Sequence, residues 1–210
     1  MQKRLCFIFT LLFLPMLLSA RGGRSEFTHR LQFGVEWGYS QTFYKLHHYN
    51  IVTNEGYRIN EETEGIFLYP NGALLANIGY DISERFNISL YSGYAGFADD
   101  CRVFPISLRL NMFPGSSMYE DGFFTMVEGG VGLRVPTLEK HDAAFFACIG
   151  EAYRIKLTPF FNLDFIVSLR TVLDRPNISN PDGAGYVTKH NIRSNNARYY
   201  ALNFSVALNF

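Results

Sequence analysis

Residues 199–210 read YYALNFSVALNF. Taken alternately, Tyr200, Leu202, Phe204, Val206, Leu208 and Phe210 fall on one face, and Tyr199, Ala201, Asn203, Ser205, Ala207 and Asn209 on the other. Strict period-two alternation predicts a β-strand, because successive Cβ atoms point to opposite sides of a sheet. One face is bulky and apolar; most of the other is small or amide-bearing. The segment is also long. Soluble strands commonly run to about five or six residues, whereas a tilted strand needs roughly 9–11 to cross a bilayer.

The same pattern recurs along the chain. In 29–41, Leu31, Phe33, Val35, Trp37 and Tyr39 oppose Arg30, Gln32, Gly34, Glu36, Gly38 and Ser40. In 160–170, Phe161, Leu163, Phe165, Val167 and Leu169 oppose Asn162, Asp164, Ile166, Ser168 and Arg170. Segments 73–82, 86–97, 103–113 and 122–134 alternate less regularly. Segment 143–155 is the poorest: Glu151 shares a face with Ile149 and Tyr153 unless a bulge near Gly150 turns it inward. Eight strands result.

The chain has 210 residues, with 19 Lys plus Arg against 19 Asp plus Glu. Neutrality without a basic cluster argues against nucleic acid as a partner. Residues 1–20 combine Lys3 and Arg4 with an apolar run from Leu5 to Leu18 and small Ser19-Ala20, which predicts a cleavable secretory signal peptide. Its removal leaves 17 basic residues against 19 acidic ones, a net charge of −2. Residues 21–28 form an N-terminal segment and 29–210 the folded unit. Cys101 and Cys148 then remain, at a strand rim and in mid-strand, a poor arrangement for a disulfide.

Alternation by itself fits either a soluble β-protein or a membrane barrel, which is apolar outside and polar within. Two features favour the barrel. The predicted mature chain has only four Lys, at 45, 140, 156 and 189, few for a water-facing surface. The connections also alternate in length. Residues 83–85 and 156–159 are short, while 42–72 and 171–196 are long and polar. Outer-membrane barrels have short periplasmic turns and longer external loops. The short 98–102 and the moderate 114–121 fit this less well.

Two hairpins share a motif. Tyr80-Asp81-Ile82 leads through a turn to Phe86-Asn87-Ile88, and Tyr153-Arg154-Ile155 leads to Phe161-Asn162-Leu163. With the signal peptide, the eight segments and the last strand ending in Phe210, the chain resembles the small OmpA-like and OmpX-like outer-membrane barrels. The hairpins resemble the outer-membrane β-barrel domain family common among Bacteroidetes. The resemblance covers about 29–210. It implies an all-β, eight-stranded, antiparallel up-and-down transmembrane barrel in the bacterial outer membrane, in contact with lipid. Tyr200, Leu202, Phe204, Val206, Leu208 and Phe210 would act as the signal read by the barrel assembly machinery.

The expected lumen network is Glu36, Asp81, Arg109, Glu128, Arg134, Asp164 and Arg170, with Glu151 open. Eight strands leave an interior that side chains fill, so these charges read as ion pairs plugging it. Catalytic, metal and cofactor sites are not expected. His47-His48 and His141-Asp142 lie near loops, without a Ser and acid placed beside them or ligand spacing. Loop 42–72, with Phe43, Tyr44, Tyr49, Tyr57, Phe67 and Tyr69, suits a protein or glycan partner. It could instead extend strands one and two, turning at Asn54-Glu55-Gly56. The expected function is a non-enzymatic outer-membrane protein, structural or contact-mediating, alone or as a subunit of a larger outer-membrane assembly. The alternatives are a lipid- or peptide-modifying enzyme at the rim and a soluble exported ligand-binding barrel.

Overall fold

The computed structural model describes residues 30–53, 55–98, 101–115, 117–134, 143–181, 183 and 185–210. The expected signal peptide, the segment 21–28, His29, His141 and Asp142 lie outside the described residues. Eight strands follow in order: β1 (Leu31–Val52), β2 (Arg58–Ser83), β3 (Phe86–Ala98), β4 (Cys101–Met112), β5 (Gly122–Arg134), β6 (Ala144–Thr158), β7 (Phe161–Asp174) and β8 (Ile192–Asn209). Each pairs antiparallel with its chain neighbour, and β8 pairs with β1, so the sheet closes. This is the eight-stranded up-and-down barrel that the resemblance implied.

Closure is staggered. Followed from partner to partner, the ladder runs Val35, Ala76, Ser92, Ile106, Val131, Phe145, Leu173 and Arg198, and returns to β1 at Leu46. That is eleven residues further along, including a bulge between Thr42 and Tyr44. Such stagger requires strands tilted by roughly 35–45° to the barrel axis, so side chains at one depth are not direct ladder partners.

The barrel is inside-out relative to a soluble protein. Along β4 burial alternates without a break: Ser107, Arg109 and Asn111 are buried, while Phe104, Ile106, Leu108, Leu110 and Met112 are exposed. Exposed large apolar side chains occur on the outer face of every strand. Aromatics flank this band. Phe86, Phe123 and Tyr153 lie toward the end with the tight turns, and Tyr39, Tyr94, Phe104 and Phe145 toward the other. Amphipathic rings collect where apolar and aqueous phases meet. A closed sheet with lipid-compatible walls satisfies every ladder hydrogen bond internally, as hydrocarbon demands.

The interior is layered. Toward the tight-turn end Phe113, Met118, Phe124 and Met126 pack together, with Phe113 and Phe124 stacked at 4.7 Å between centroids. Toward the other end Phe97, Val103, Phe146, Val172 and Tyr199 form a second apolar cluster. The charged residues lie between or beside these clusters. The expected small, polar lumen is thus corrected: apolar side chains flank a polar middle.

The loop boundaries are corrected too. Residues 42–72 are largely strand, extending β1 and β2 as a tall hairpin that turns around Glu55 and Gly56. The reason is cross-strand pairing, from Tyr44 opposite Ile66 to Val52 opposite Arg58. Of 171–196, residues to Asp174 belong to β7 and those from Ile192 to β8. The connection between them folds back through a Ser179–Tyr186 bridge and packs Ile178 and Val187 on Ile51. Cys101 and Cys148 are both buried and are not joined in a disulfide.

Close approach of strands depends on glycine at several inward-facing positions, Gly130 among them. A Cβ at Gly130 would lie 2.5 Å from the Ile106 carbonyl oxygen and 2.5 Å from Ser107 Cβ. Both are on the neighbouring strand and cannot swing away. Gly130→Val is therefore expected to cost at least the roughly 1–3 kcal/mol typical of overpacking. Refolding into detergent should yield mostly non-heat-modifiable protein, with Trp37 fluorescence, exposed on the outer face, not reaching its folded emission.

Candidate functional site

The polar middle is built around one guanidinium. Arg109 on β4 is the ladder partner of Glu128 on β5, so both point inward side by side. Glu36 on β1 reaches them from another wall. Arg109 Nη1 lies 2.6 Å from Glu36 Oε2, and Nη2 lies 2.7 Å from Glu128 Oε2. The carboxylates are completed by hydroxyl donors: Ser205 Oγ donates to Glu36 at 2.7 Å and Ser107 Oγ to Glu128 at 2.6 Å. Arg109 also donates to the Tyr91 hydroxyl at 3.0 Å and stacks on that ring at 3.9 Å. Arg109, Glu36, Glu128 and Tyr91 are all buried. Two carboxylates around one guanidinium leave a formal charge of −1. The charge of Arg170 acts on Glu128 from nearby, and its guanidinium lies 5.2 Å from the Phe97 ring and 5.6 Å from Phe146.

The other sequence-predicted lumen residues enter separate groups. Asp164 receives a bidentate pair from Arg154, at 2.8 and 2.7 Å. Arg154 also donates to the Met118 carbonyl at 3.1 Å, tying the 113–121 turn to the barrel interior. Asp81 accepts from Asn87 at 2.7 Å and Gln32 at 2.9 Å. Arg134 pairs with Asp174 at 2.5 Å near the far rim. Arg154, Asp174 and Tyr91 are absent from the sequence-predicted set. The signal for Arg154 lay in segment 143–155: with no bulge at Gly150, Ile149, Glu151 and Tyr153 face out and Ala152 and Arg154 face in. Glu151 is exposed on the outer wall, because the β6 register runs unbroken past it.

A second candidate surface is the β1–β2 hairpin. Its two strands are laced by side chains: Tyr44 donates to Glu64 at 3.1 Å, Tyr49 to Glu61, and Arg58 to Asn50 at 3.0 Å. His48 Nε2 lies 3.1 Å from Asn60 Oδ1 and His47 Nε2 lies 2.9 Å from Asn195 Oδ1. Neither contact involves a Ser or an acid. Arg175, Lys189 and Arg193 line an open cleft of about 350 Å³ beside β8. Among the described residues no three His, Cys, Asp or Glu side chains group as metal ligands. The side chains of Tyr200, Leu202, Phe204, Val206, Leu208 and Phe210 lie on the outer face of β8. Phe210 exchanges backbone hydrogen bonds with Phe33 at 2.7 and 2.8 Å, closing the β1–β8 seam.

No family model matches the chain, and no curated protein matches it. Among solved structures it is similar to the N-terminal β-barrel domain of Pseudomonas aeruginosa OprF, at 11% identity over 85% of this chain and 97% of that one, with a TM-score of 0.44. It is also similar to the outer membrane protease OmpT from Escherichia coli, at 8% identity over 90% and 98%, with a TM-score of 0.42. What places this chain in a membrane is its own pattern, a closed barrel with an apolar outer band and buried ion pairs.

Two measurements test this geometry. Arg109→Ala leaves Glu36 and Glu128 buried without their cation, so it should cost about 3–5 kcal/mol in urea unfolding from detergent. Adding Glu36→Gln and Glu128→Gln should recover part of that loss. His47 lies beyond the apolar band, where Glu62, Glu64 and Arg198 take over the outer face. Burial lowers its pKa below the ordinary value, against a raising effect of the Asn195 contact. The neutral form is favoured, so its stabilisation holds above about pH 6.5 and is lost as pH falls through the lower folded value. A ring-carbon NMR titration should place the His47 midpoint below about 6.5. An eight-stranded inside-out barrel of this kind is an integral protein of the bacterial outer membrane.

Proposed function

We propose that the chain is a non-enzymatic outer-membrane barrel with a plugged lumen that makes contacts through its external hairpin. The observation that carries this reading is the free side of β2. The ladder to β3 begins at Ala73 opposite Ala95. Above it, β2 from Arg58 to Tyr69 pairs with β1 on one side, while no strand among the described residues pairs with its other side. An unpaired edge presents a row of main-chain donors and acceptors that an extended segment can join. Ile66 and Leu68 stand exposed on this edge, 84% and 71% accessible, and would supply side-chain contacts for such a strand. The acids Glu61, Glu62 and Glu64 on the same stretch favour a partner segment carrying basic residues.

The buried ion pairs and the apolar clusters at either end of the interior support a plugged lumen. Membership of a larger assembly fits a hairpin that rises above the lipid. The outer face of β8 would carry the signal for the barrel assembly machinery during biogenesis.

The test replaces Tyr44–Leu68 with a two-residue Asn-Gly turn. Heat-modifiable migration should persist, because the pairings below the bulge remain. Proteins that co-purify with the intact chain in mild detergent should be lost. Planar bilayers containing the intact chain should show no steady conductance. Hydrolysis of lipid or peptide by the purified chain, or a stable open conductance, would falsify this reading.

A further inference from the structure

Glu151 is the middle residue of β6, seven residues from Ala144 and seven from Thr158. It faces outward, flanked on its own strand by Ile149 and Tyr153. Across the ladder it pairs with Thr125 on one side and Val167 on the other. Between the two aromatic belts it is the one charged side chain on the outer wall among the described residues. Its side-chain partner is the Thr125 hydroxyl, which lies 2.9 Å from Oε1 and 3.1 Å from Oε2. Ionisable side chains set against lipid are costly and rare, and where they occur they meet a partner.

We propose that this wall, centred on Glu151 and Thr125, is a homodimer interface in which two copies meet through their β5–β6 faces. Three observations select a second copy as the occupant. First, copies inserted by one route share one orientation, so the twofold axis relating them lies along the membrane normal. Every residue then has the depth of its mate, and Glu151 faces Glu151. Second, the patch is self-complementary. Two carboxyl groups sharing a proton, each also bound by its own Thr125 hydroxyl, satisfy one another without a cation. The outer band offers no Lys or Arg among the described residues, so a head-to-tail contact has nothing to give this carboxylate. An isologous pair needs nothing else.

Third, the wall is low two outward positions from the carboxyl, beyond the Val127–Ile149 pair. Gly129 and Ala147 are ladder partners on the same outer face. A Cβ at Gly129 would meet nothing nearer than the Phe146 carbonyl oxygen at 4.0 Å. Small residues let two membrane walls approach closely, and polar side chains then hydrogen-bond across the gap. Phe165, Val167 and Ile149 border this strip, each about half exposed.

The experiment uses the full chain in phosphatidylcholine vesicles. Copies carrying Glu55→Cys, with Cys6, Cys101 and Cys148 changed to Ser, are labelled with a donor or an acceptor. Energy transfer is followed as lipid dilutes protein. The parent chain should show transfer above the random-encounter level. Glu151→Gln, which still donates and accepts, should retain it. Glu151→Leu should weaken association at least tenfold, and Thr125→Val should weaken it to a smaller extent. Ile78→Asn, at a comparable depth on β2, should leave it unchanged. Glu151→Leu places an apolar side chain against lipid, so its barrel should fold at least as well, checked by heat-modifiable migration. Transfer at the random level for the parent chain overturns the proposal, as does association of Glu151→Leu equal to the parent.

Discussion

Everything in this molecule depends on the seam between β1 and β8. In hydrocarbon an unpaired backbone amide or carbonyl costs several kcal/mol, and an open eight-stranded sheet would present two rows of them. Pairing β1 with β8 removes both edges at once. Closure also sets the stagger. The ladder leaves β1 at Val35 and returns at Leu46, which tilts the strands and fixes a narrow bore. The rest follows from that bore. Inward positions must be small where strands approach, as at Gly130, or must fill the space with side chains that satisfy one another.

The interior answers this with a division of labour. Arg109 gathers Glu36, Glu128 and Tyr91 from three further strands, so one guanidinium links distant walls. Such a cluster contributes little net stability compared with an apolar filling, because desolvation opposes the Coulomb attraction. Its effect is on register. A one-residue slip in any strand would turn every inward charge toward lipid. The apolar clusters at either end add packing without adding charge. Arg154 joins the two strategies, pairing with Asp164 while donating to the Met118 carbonyl and lying 5.0 Å from the Phe113 ring.

Outside the lipid the logic changes. There the β1–β2 hairpin continues as paired strands beyond the ends of β3 and β4, held by Tyr–Glu and Arg–Asn pairs and by the Ile51, Ile178 and Val187 cluster. Stability inside the membrane comes from closure; above it, from side-chain lacing and a small core. The hairpin therefore carries an exposed edge that the barrel below it cannot have.

Strand number and, outside β6, the two faces of each strand were legible in the chain, because period-two alternation sustained over ten or so residues is the signature of a two-faced strand. Residues 199–210 state it most clearly. The inside-out reading rested on the scarcity of Lys and the alternating connection lengths. Of the predicted lumen charges, Glu36, Asp81, Arg109, Glu128, Asp164 and Arg170 are buried on inward faces, and Arg134 reaches inward to Asp174 near the far rim. What alternation could not supply was partnership. Arg154 and Asp164 meet because β6 and β7 align them as ladder neighbours, and Glu36 meets Arg109 because a tilted barrel brings β1 across to β4. Nor could it settle Glu151, whose direction depended on whether β6 held its register past Gly150. Nor could it tell a polar loop from a tall hairpin over 42–72, since pairing there rests on contacts between residues far apart in sequence. Outside β6, the sequence by itself determined which face of each strand is apolar and which is polar, a local property of alternating residues. The tertiary structure decided which charges pair, which carboxyl is left against lipid and which strand edge stays free, because those follow from register and closure around the whole ring.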